Sequence, residues 1–464
     1  MSSIKYFLTP RSVAVIGASR TPGKIGHEIL RNIINFGFKG NIYPVNPHVD
    51  EVLGLRCFPS MREVPDQVDL AIISVPSRAV ARVVDECGAS GVKAVAVISS
   101  GFREIGQADL EKEVVRRARR YGMRLLGPNI FGLVYTPSKL NASFGPLHVH
   151  PGKVAFITQS GAIGISLMSW TILEHVGLSA VVSVGNKADV DDADLLEFFA
   201  DDPNSSVILI YMEGLTSGRR FMEAALKATA KKPVITIKAG RTKRGSMAAA
   251  SHTGSMAGSD EVYRAAFRQT GVLLASSVEE AFDWAEALVA DFELRGENLL
   301  IITNGGGAGV LAADASELLG LRLMGMSPNL RKKFRALMPY YGSVENPVDL
   351  TATADGDDYY GAIHAAMGSD EVDAVIAIYC QTPYTDPTLI ASRMIKAMEG
   401  LRAEVRKPLV ICGIGGVEVE KALRMLEEAG IPAFPTPERA VMAMAALFKY
   451  YEYREEVMRK TSEN

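Results

Sequence analysis

One histidine stands in a setting where its ring nitrogens could meet a phosphate. His252 lies in the run Lys238-Ala-Gly-Arg-Thr-Lys-Arg-Gly-Ser-Met-Ala-Ala-Ala-Ser-His252-Thr-Gly-Ser-Met-Ala-Gly258, which is rich in Gly, Ser and Ala and has a basic lead. Small residues give little packing, so the run is expected to be a mobile surface loop. The competing reading is a flexible linker carrying an incidental histidine. A carboxylate, Glu213, closes the apolar run Val207-Ile-Leu-Ile-Tyr-Met-Glu-Gly214. It could cap the helix expected over Ser217–Lys231. The strand Pro233–Lys238 that leads to His252 belongs to the same expected sheet, so Glu213 and His252 could also meet at its carboxyl edge.

Two glycine-rich turns offer anion sites. Gln159-Ser-Gly-Ala-Ile-Gly164 follows the strand Lys153–Thr158 and opens a helix. Gln159, Ser160, Gly161 and Ala162 would there present free amides and a hydroxyl at a helix N-terminus. The nucleophile-elbow pattern G-x-S-x-G is absent, so Ser160 is not read as a nucleophile. The other turn follows Ser12-Val-Ala-Val-Ile16, with Gly17, Gly23 and Gly26 framing Arg20-Thr-Pro-Gly-Lys-Ile. Strand, glycine turn and helix in that order accept phosphate on backbone amides. The spacing is not G-x-G-x-x-G, and no acidic residue ends the next strand, Asn41–Asn46, to hold a ribose hydroxyl. A phosphate-bearing ligand is therefore expected and a dinucleotide is disfavoured, which weakens a nicotinamide-dependent dehydrogenase.

The elements that position these residues are α/β throughout. Strands at Val68–Val75 and Ala94–Ser100 end in Ser74-Val-Pro-Ser77 and Ser99-Ser-Gly-Phe102, and Arg124-Leu-Leu-Gly-Pro-Asn129 completes an open parallel sheet. A third unit opens with Leu299-Leu-Ile-Ile-Thr-Asn-Gly-Gly-Gly-Ala-Gly309. Three strand–glycine–helix units predict three consecutive doubly wound domains, one Rossmann-like and two flavodoxin-like. Their expected limits are 1–135, 153–290 and 298–464, with 136–152 as a linker. Ligands in such sheets bind outside the strands' carboxyl ends, where the loops above fall.

Composition excludes several classes. The chain has 464 residues, 48% hydrophobic and 22% charged, with a net charge of -3. Such a balance favours neither nucleic acid nor an anionic membrane as partner. Four cysteines without metal-ligand spacing point to a reducing cytoplasm rather than a disulfide framework or a zinc site. No apolar run reaches 18 residues, and the N-terminus lacks the apolar core of a signal peptide.

Taken together, the motifs become specific. Gly17-Ala-Ser19, Pro22-Gly-Lys-Ile-Gly26, Gly127-Pro-Asn129, Gln159-Ser-Gly161, Gly185-Asn186, Tyr211-Met-Glu-Gly214, Ser251-His-Thr-Gly254 and Asn346-Pro-Val-Asp349 occur in one order. This resembles the α subunit of the NDP-forming acyl-CoA synthetases, such as the ADP-forming acetate–CoA ligases, relatives of succinyl-CoA synthetase. The resemblance spans nearly the whole chain. It implies reversible conversion of acyl-CoA, phosphate and ADP to a carboxylic acid, coenzyme A and ATP, through an acyl phosphate and a phosphohistidine. His252 matches the phosphohistidine and Glu213 the glutamate that holds it; Gln159–Gly164 matches a phosphate-receiving helix N-terminus. Asn304–Gly309 or Gln381–Thr388 would supply another. Coenzyme A contacts would fall on Gly17, Ala18, Ser19, Lys24, Ile25, Asn46, Pro47, Ser74, Pro76 and Ser100. ADP or ATP with Mg2+ would be bound mainly by a separate ATP-grasp β subunit, giving an α2β2 heterotetramer. The rival within the same fold is a non-catalytic coenzyme A-binding regulator, which would be expected to lose His252 or Glu213.

Overall fold

Strands that are covered on both faces must be apolar along their whole length. Ser12–Ile16, Leu70–Ile73, Ala94–Val97, Leu178–Ser183, Val207–Met212, Val234–Lys238 and Leu299–Thr303 are buried at every residue. A computed structural model describes residues 3–174, 176–253, 259–290, 292–401 and 407–462, without the side chains of 250–253 and 460–462. The chain divides into two compact units, Met1–Ser276 and Ser277–Asn464.

The first unit holds two sheets. In one, the parallel strands run in the order Asn41–Val45, Ser12–Ile16, Leu70–Ile73, Ala94–Val97, Arg124–Leu126. The other places Leu273–Ala275, Val234–Lys238, Val207–Met212, Pro151–Thr158 and Leu178–Ser183 in parallel. It then adds Gly132–Tyr135 and Leu140–Ser143 as an antiparallel pair. One hydrophobic core runs through both sheets, from Val15 and Ile29 by way of Leu133 and Ile157 to Phe221 and Phe267.

The second strand of the antiparallel pair, Leu140–Ser143, lies within the stretch 136–152 expected to be a linker. Leu133 pairs with Val182 and Ala142, and the side chain of Asn141 turns back to the carbonyl of Pro146 at 3.0 Å. These residues alternate little and carry turn formers, so their burial came only from the sheet that receives them. The helix Val278–Val289 packs on the C-terminal helix Pro437–Ser462, so the second unit begins at Ser277.

The second unit is one parallel sheet, ordered Val348–Asp349, Leu299–Thr303, Ala374–Cys380, Leu409–Ile414, Ala433–Phe434. In all three sheets the chain leaves the first of the parallel strands to one side and returns on the other. The carboxyl edge opens at such a reversal, and ligands are received there. The three openings lie between Ser12–Ile16 and Leu70–Ile73, between Pro151–Thr158 and Val207–Met212, and between Leu299–Thr303 and Ala374–Cys380.

Candidate functional site

At the first reversal, the turn after Ile16 is drawn tightly against the next strand. Gly17 has φ +92°, and a Cβ there would lie 2.7 Å from the Ser74 carbonyl oxygen. A Cβ on Gly26, inside the helix Ile25–Asn35, would lie 2.0 Å from the Gly17 carbonyl. Only glycine lets helix and strand approach this closely, which is how a phosphate-binding turn exposes its amides. The Ser74 hydroxyl donates to the Ile16 carbonyl at 3.1 Å. Lys24 is the exposed residue before the helix, as a phosphate-seeking cation should be. Asn46 serves the turn by bracing it: its amide donates to the Ala18 carbonyl at 2.7 Å. Ser19 accepts from the Thr21 amide, and its own carbonyl lies 2.9 Å from His27 Nδ1. Pro47 is exposed beyond that edge.

At the second reversal, Ser160 caps the helix Gly161–Leu173, accepting from the Ile163 amide. The Gln159 side chain spans the opening. Its Oε1 accepts from the amides of Glu213 at 2.9 Å and of Gly214 at 3.1 Å. The cap of the helix Gly218–Thr229 is Ser217, so Glu213 is not spent on that helix. Glu213 is buried at the strand end, and burial, with the Glu213 charge adding, pushes the Tyr211 phenol up to about 12.

The two reversals open into one cavity of about 610 Å³. Of the residues read from sequence, Ile25, Ser74, Pro76, Ser100, Gln159, Ser160, Gly161 and Ala162 line it. Gly17, Ala18, Ser19, Lys24, Asn46 and Pro47 do not; they form or flank the glycine turn beside it. The remaining wall includes Ile98, Asn129, Ile130, Phe131, Phe144 and Ile165, which sequence reasoning did not single out as site residues. Asn129 lay within the quoted Gly127-Pro-Asn129 motif and holds φ +62°. Phe144 carried no signal, because it sat in the stretch taken for a linker. Among the described residues, no charged side chain lines this cavity.

The expected mobile loop is corrected in part. Lys243–Thr253 is a helix, which brings His252 into regular structure. Three consecutive alanines and a lysine–arginine start favour helix more than the glycines and serines oppose it. The helix lies beside the turn Arg103–Ile105, next to the Ser99–Phe102 rim of the cavity. The side chain of His252 and all of 254–258 lie outside the described residues. In the second unit, Asn304 joins both loops named as alternative phosphate receivers. Its Oδ1 accepts from the Cys380 amide at 2.7 Å and its Nδ2 donates to the Cys380 carbonyl at 3.0 Å. The helix Gly306–Leu318 starts there, and Gln381 accepts from the Gly416 amide at 2.9 Å.

A glycine turn opening onto a helix N-terminus beside a buried carboxylate suits a phosphate-bearing ligand. Three family descriptions match in order: CoA binding domain over 11–136, succinyl-CoA ligase like flavodoxin domain over 151–288, and ligase-CoA domain over 299–457. The α subunit of acetate–CoA ligase (ADP-forming) I of Pyrococcus furiosus is 55% identical, covering 97% of this chain and 98% of its own length. The single-chain acetate–CoA ligase (ADP-forming) I of Archaeoglobus fulgidus is 43% identical over 95% of this chain, which spans 63% of that longer protein. A solved acetyl-coenzyme A synthetase 1 of Candidatus Korarchaeum cryptofilum, in complex with phosphate and ADP, superposes with a TM-score of 0.95. It is 49% identical and covers 98% of each chain. The chain belongs to the family of ADP-forming acetate–CoA ligases, as an α subunit.

Proposed function

We propose that this chain carries the acyl-transfer and histidine-phosphorylation steps, with His252 as phosphoryl acceptor and Glu213 as its partner. A phosphate oxygen attacks the thioester carbonyl, the C–S bond breaks, and coenzyme A leaves as thiolate, which takes up a proton. A ring nitrogen of His252 then attacks phosphorus, the P–O bond to the acyl group breaks, and the carboxylate leaves. A neutral imidazole is nucleophilic near pH 7, and a carboxylate at its other nitrogen fixes the tautomer and stabilises the cation formed. The reading is carried by the shared cavity: the coenzyme turn and the Ser160 helix N-terminus open into one space, and Gln159 ties that space to Glu213.

Coenzyme A is assigned to Gly17–Ile25, with Asn46 bracing the turn and Ser74, Pro76 and Ser100 along its path inward. The anion site is assigned to the amides of Gly161 and Ala162 and the Ser160 hydroxyl. An uncharged cavity wall with two phenylalanines suits a short apolar acyl group better than a dicarboxylate. ADP and Mg2+ are assigned to a separate ATP-grasp β subunit in an α2β2 assembly, which the phosphohistidine reaches by moving. Four free cysteines agree with a reducing cytoplasm.

The test is phosphorylation of the chain with its β subunit, Mg2+ and labelled ATP. An acid-labile, base-stable label is expected on the wild-type chain. His252→Ala should lose it while keeping coenzyme A binding; a label that persists refutes the assignment.

A further inference from the structure

The dipeptide Glu213–Gly214 is held in an unusual way. All four of its backbone polar groups are met by side chains from other elements. Gln159 Oε1 accepts from both amides. Lys238 Nζ donates to the Glu213 carbonyl at 2.8 Å, and Lys187 Nζ donates to the Gly214 carbonyl at 2.9 Å. One residue further, the Leu215 amide donates to the Tyr263 hydroxyl at 3.2 Å. A loop at a sheet edge would ordinarily meet these needs with water or local turns.

Both ammonium groups are buried, and burying a charge to satisfy a neutral carbonyl is costly. Lys187 is compensated by Asp192 at 2.6 Å, itself fully buried. Among the described residues, Lys238 has no such acid in contact. Its hydrogen bonds go to the carbonyls of Glu213 and Ala239, its Nζ sits 4.6 Å over the Tyr263 ring, and burial lowers its pKa against the pull of Asp260 and Glu213. A strand end needing only mechanical support could be held by neutral donors.

We infer that Gln159, Lys187, Lys238 and Tyr263 are positioning residues for phosphoryl transfer, fixing the Glu213–Gly214 backbone so that the Glu213 carboxylate is presented in one orientation. The inference rests on Glu213 being the partner of the phosphoryl-accepting histidine. Lys187 also extends the frame outward. It belongs to the turn Gly185–Lys187, whose Asn186 donates to Glu104 at 2.6 Å and to Glu111 at 2.7 Å. Glu104 in turn accepts from the amides of Gly101 and Phe102, at the rim of the cavity. One connected set of side chains therefore spans from the coenzyme-side rim to the Glu213 peptide.

The test is a double-mutant cycle on the assembled α–β enzyme, reading the rate of chain phosphorylation from labelled ATP. Lys238→Met keeps length and packing but removes the donor. It should slow phosphorylation on the order of 10- to 100-fold, the scale of a reacting group misplaced by about an ångström. Affinity for coenzyme A should stay within about twofold, since the first turn is untouched. In the Glu213→Gln background the same substitution should change the rate by less than about twofold, because a positioning residue acts only through what it positions. An equal factor in both backgrounds, or no effect in the wild type, overturns the inference. If Glu213→Gln alone phosphorylates at the wild-type rate, the underlying assignment of Glu213 fails instead. Should Lys238→Met not fold, Tyr263→Phe removes only a hydroxyl and carries the same cycle with the same criteria.

Discussion

Two glycines of the first turn, Gly23 and Gly26, should respond oppositely to the same substitution. In Gly26→Ala the new methyl would stand 2.0 Å from the Gly17 carbonyl oxygen and 2.8 Å from its carbon. Ordinary contact needs well over an ångström more. Gly17 cannot yield, because its φ of +92° is confined by the strand and its amide donates to the Val45 carbonyl at 2.9 Å. The helix Ile25–Asn35 must lift from the turn instead. Overpacking of this kind costs about 1–3 kcal/mol. The better helix propensity of alanine returns at most about 1 kcal/mol. Lifting the helix would withdraw its amides from the proposed coenzyme A phosphate site, a loss on the order of tenfold in coenzyme A affinity per charged hydrogen bond. In Gly23→Ala, by contrast, no atom lies within 4 Å, and the cost is the left-handed φ of +82°, about 1–2 kcal/mol. Urea unfolding and calorimetric titration with coenzyme A on both variants give the answer. Gly26→Ala should lose most or all measurable binding and Gly23→Ala should keep it. Equal binding in the two, or a worse Gly23→Ala, would refute the close-approach argument.

Glu213→Gln should slow phosphorylation by about 10²-fold or more while coenzyme A affinity holds, as expected for one lost electrostatic partner; wild-type kinetics would leave His252 needing another partner. Lys24→Ala should weaken coenzyme A binding by about 1–3 kcal/mol in calorimetry, as for a charged hydrogen bond, and unchanged affinity would move the phosphate away from this turn. Phe144→Ala should enlarge the cavity and raise kcat/KM for bulkier acids relative to acetate; a specificity ratio identical to wild type would place the acyl group elsewhere.

The turns proposed to carry the chemistry were legible because local backbone demands determine them. A turn that must expose amides needs glycine, and a helix that must receive an anion opens on small or hydroxylated residues, so Gly17–Gly26 and Gln159–Gly164 announce themselves in one dimension. The parallel strands were legible for a similar reason, since burial on both faces requires apolar runs. Leu140–Ser143 was not, because its burial depends on pairing with a neighbour rather than on its own composition. The helix Lys243–Thr253 was obscured by glycine and serine, although its alanines and the residues it packs beside decide its state. Gln159 shows the division most clearly. Its sequence position assigns it to a phosphate turn, but only the arrangement of Pro151–Thr158 beside Val207–Met212 turns its amide oxygen onto the Glu213 peptide. Lys187 lies 27 residues from Gly214, whose carbonyl it meets, and Lys238 lies 25 from Glu213. No spacing rule connects them, because a hydrogen bond across a sheet edge depends on distance in space and not along the chain.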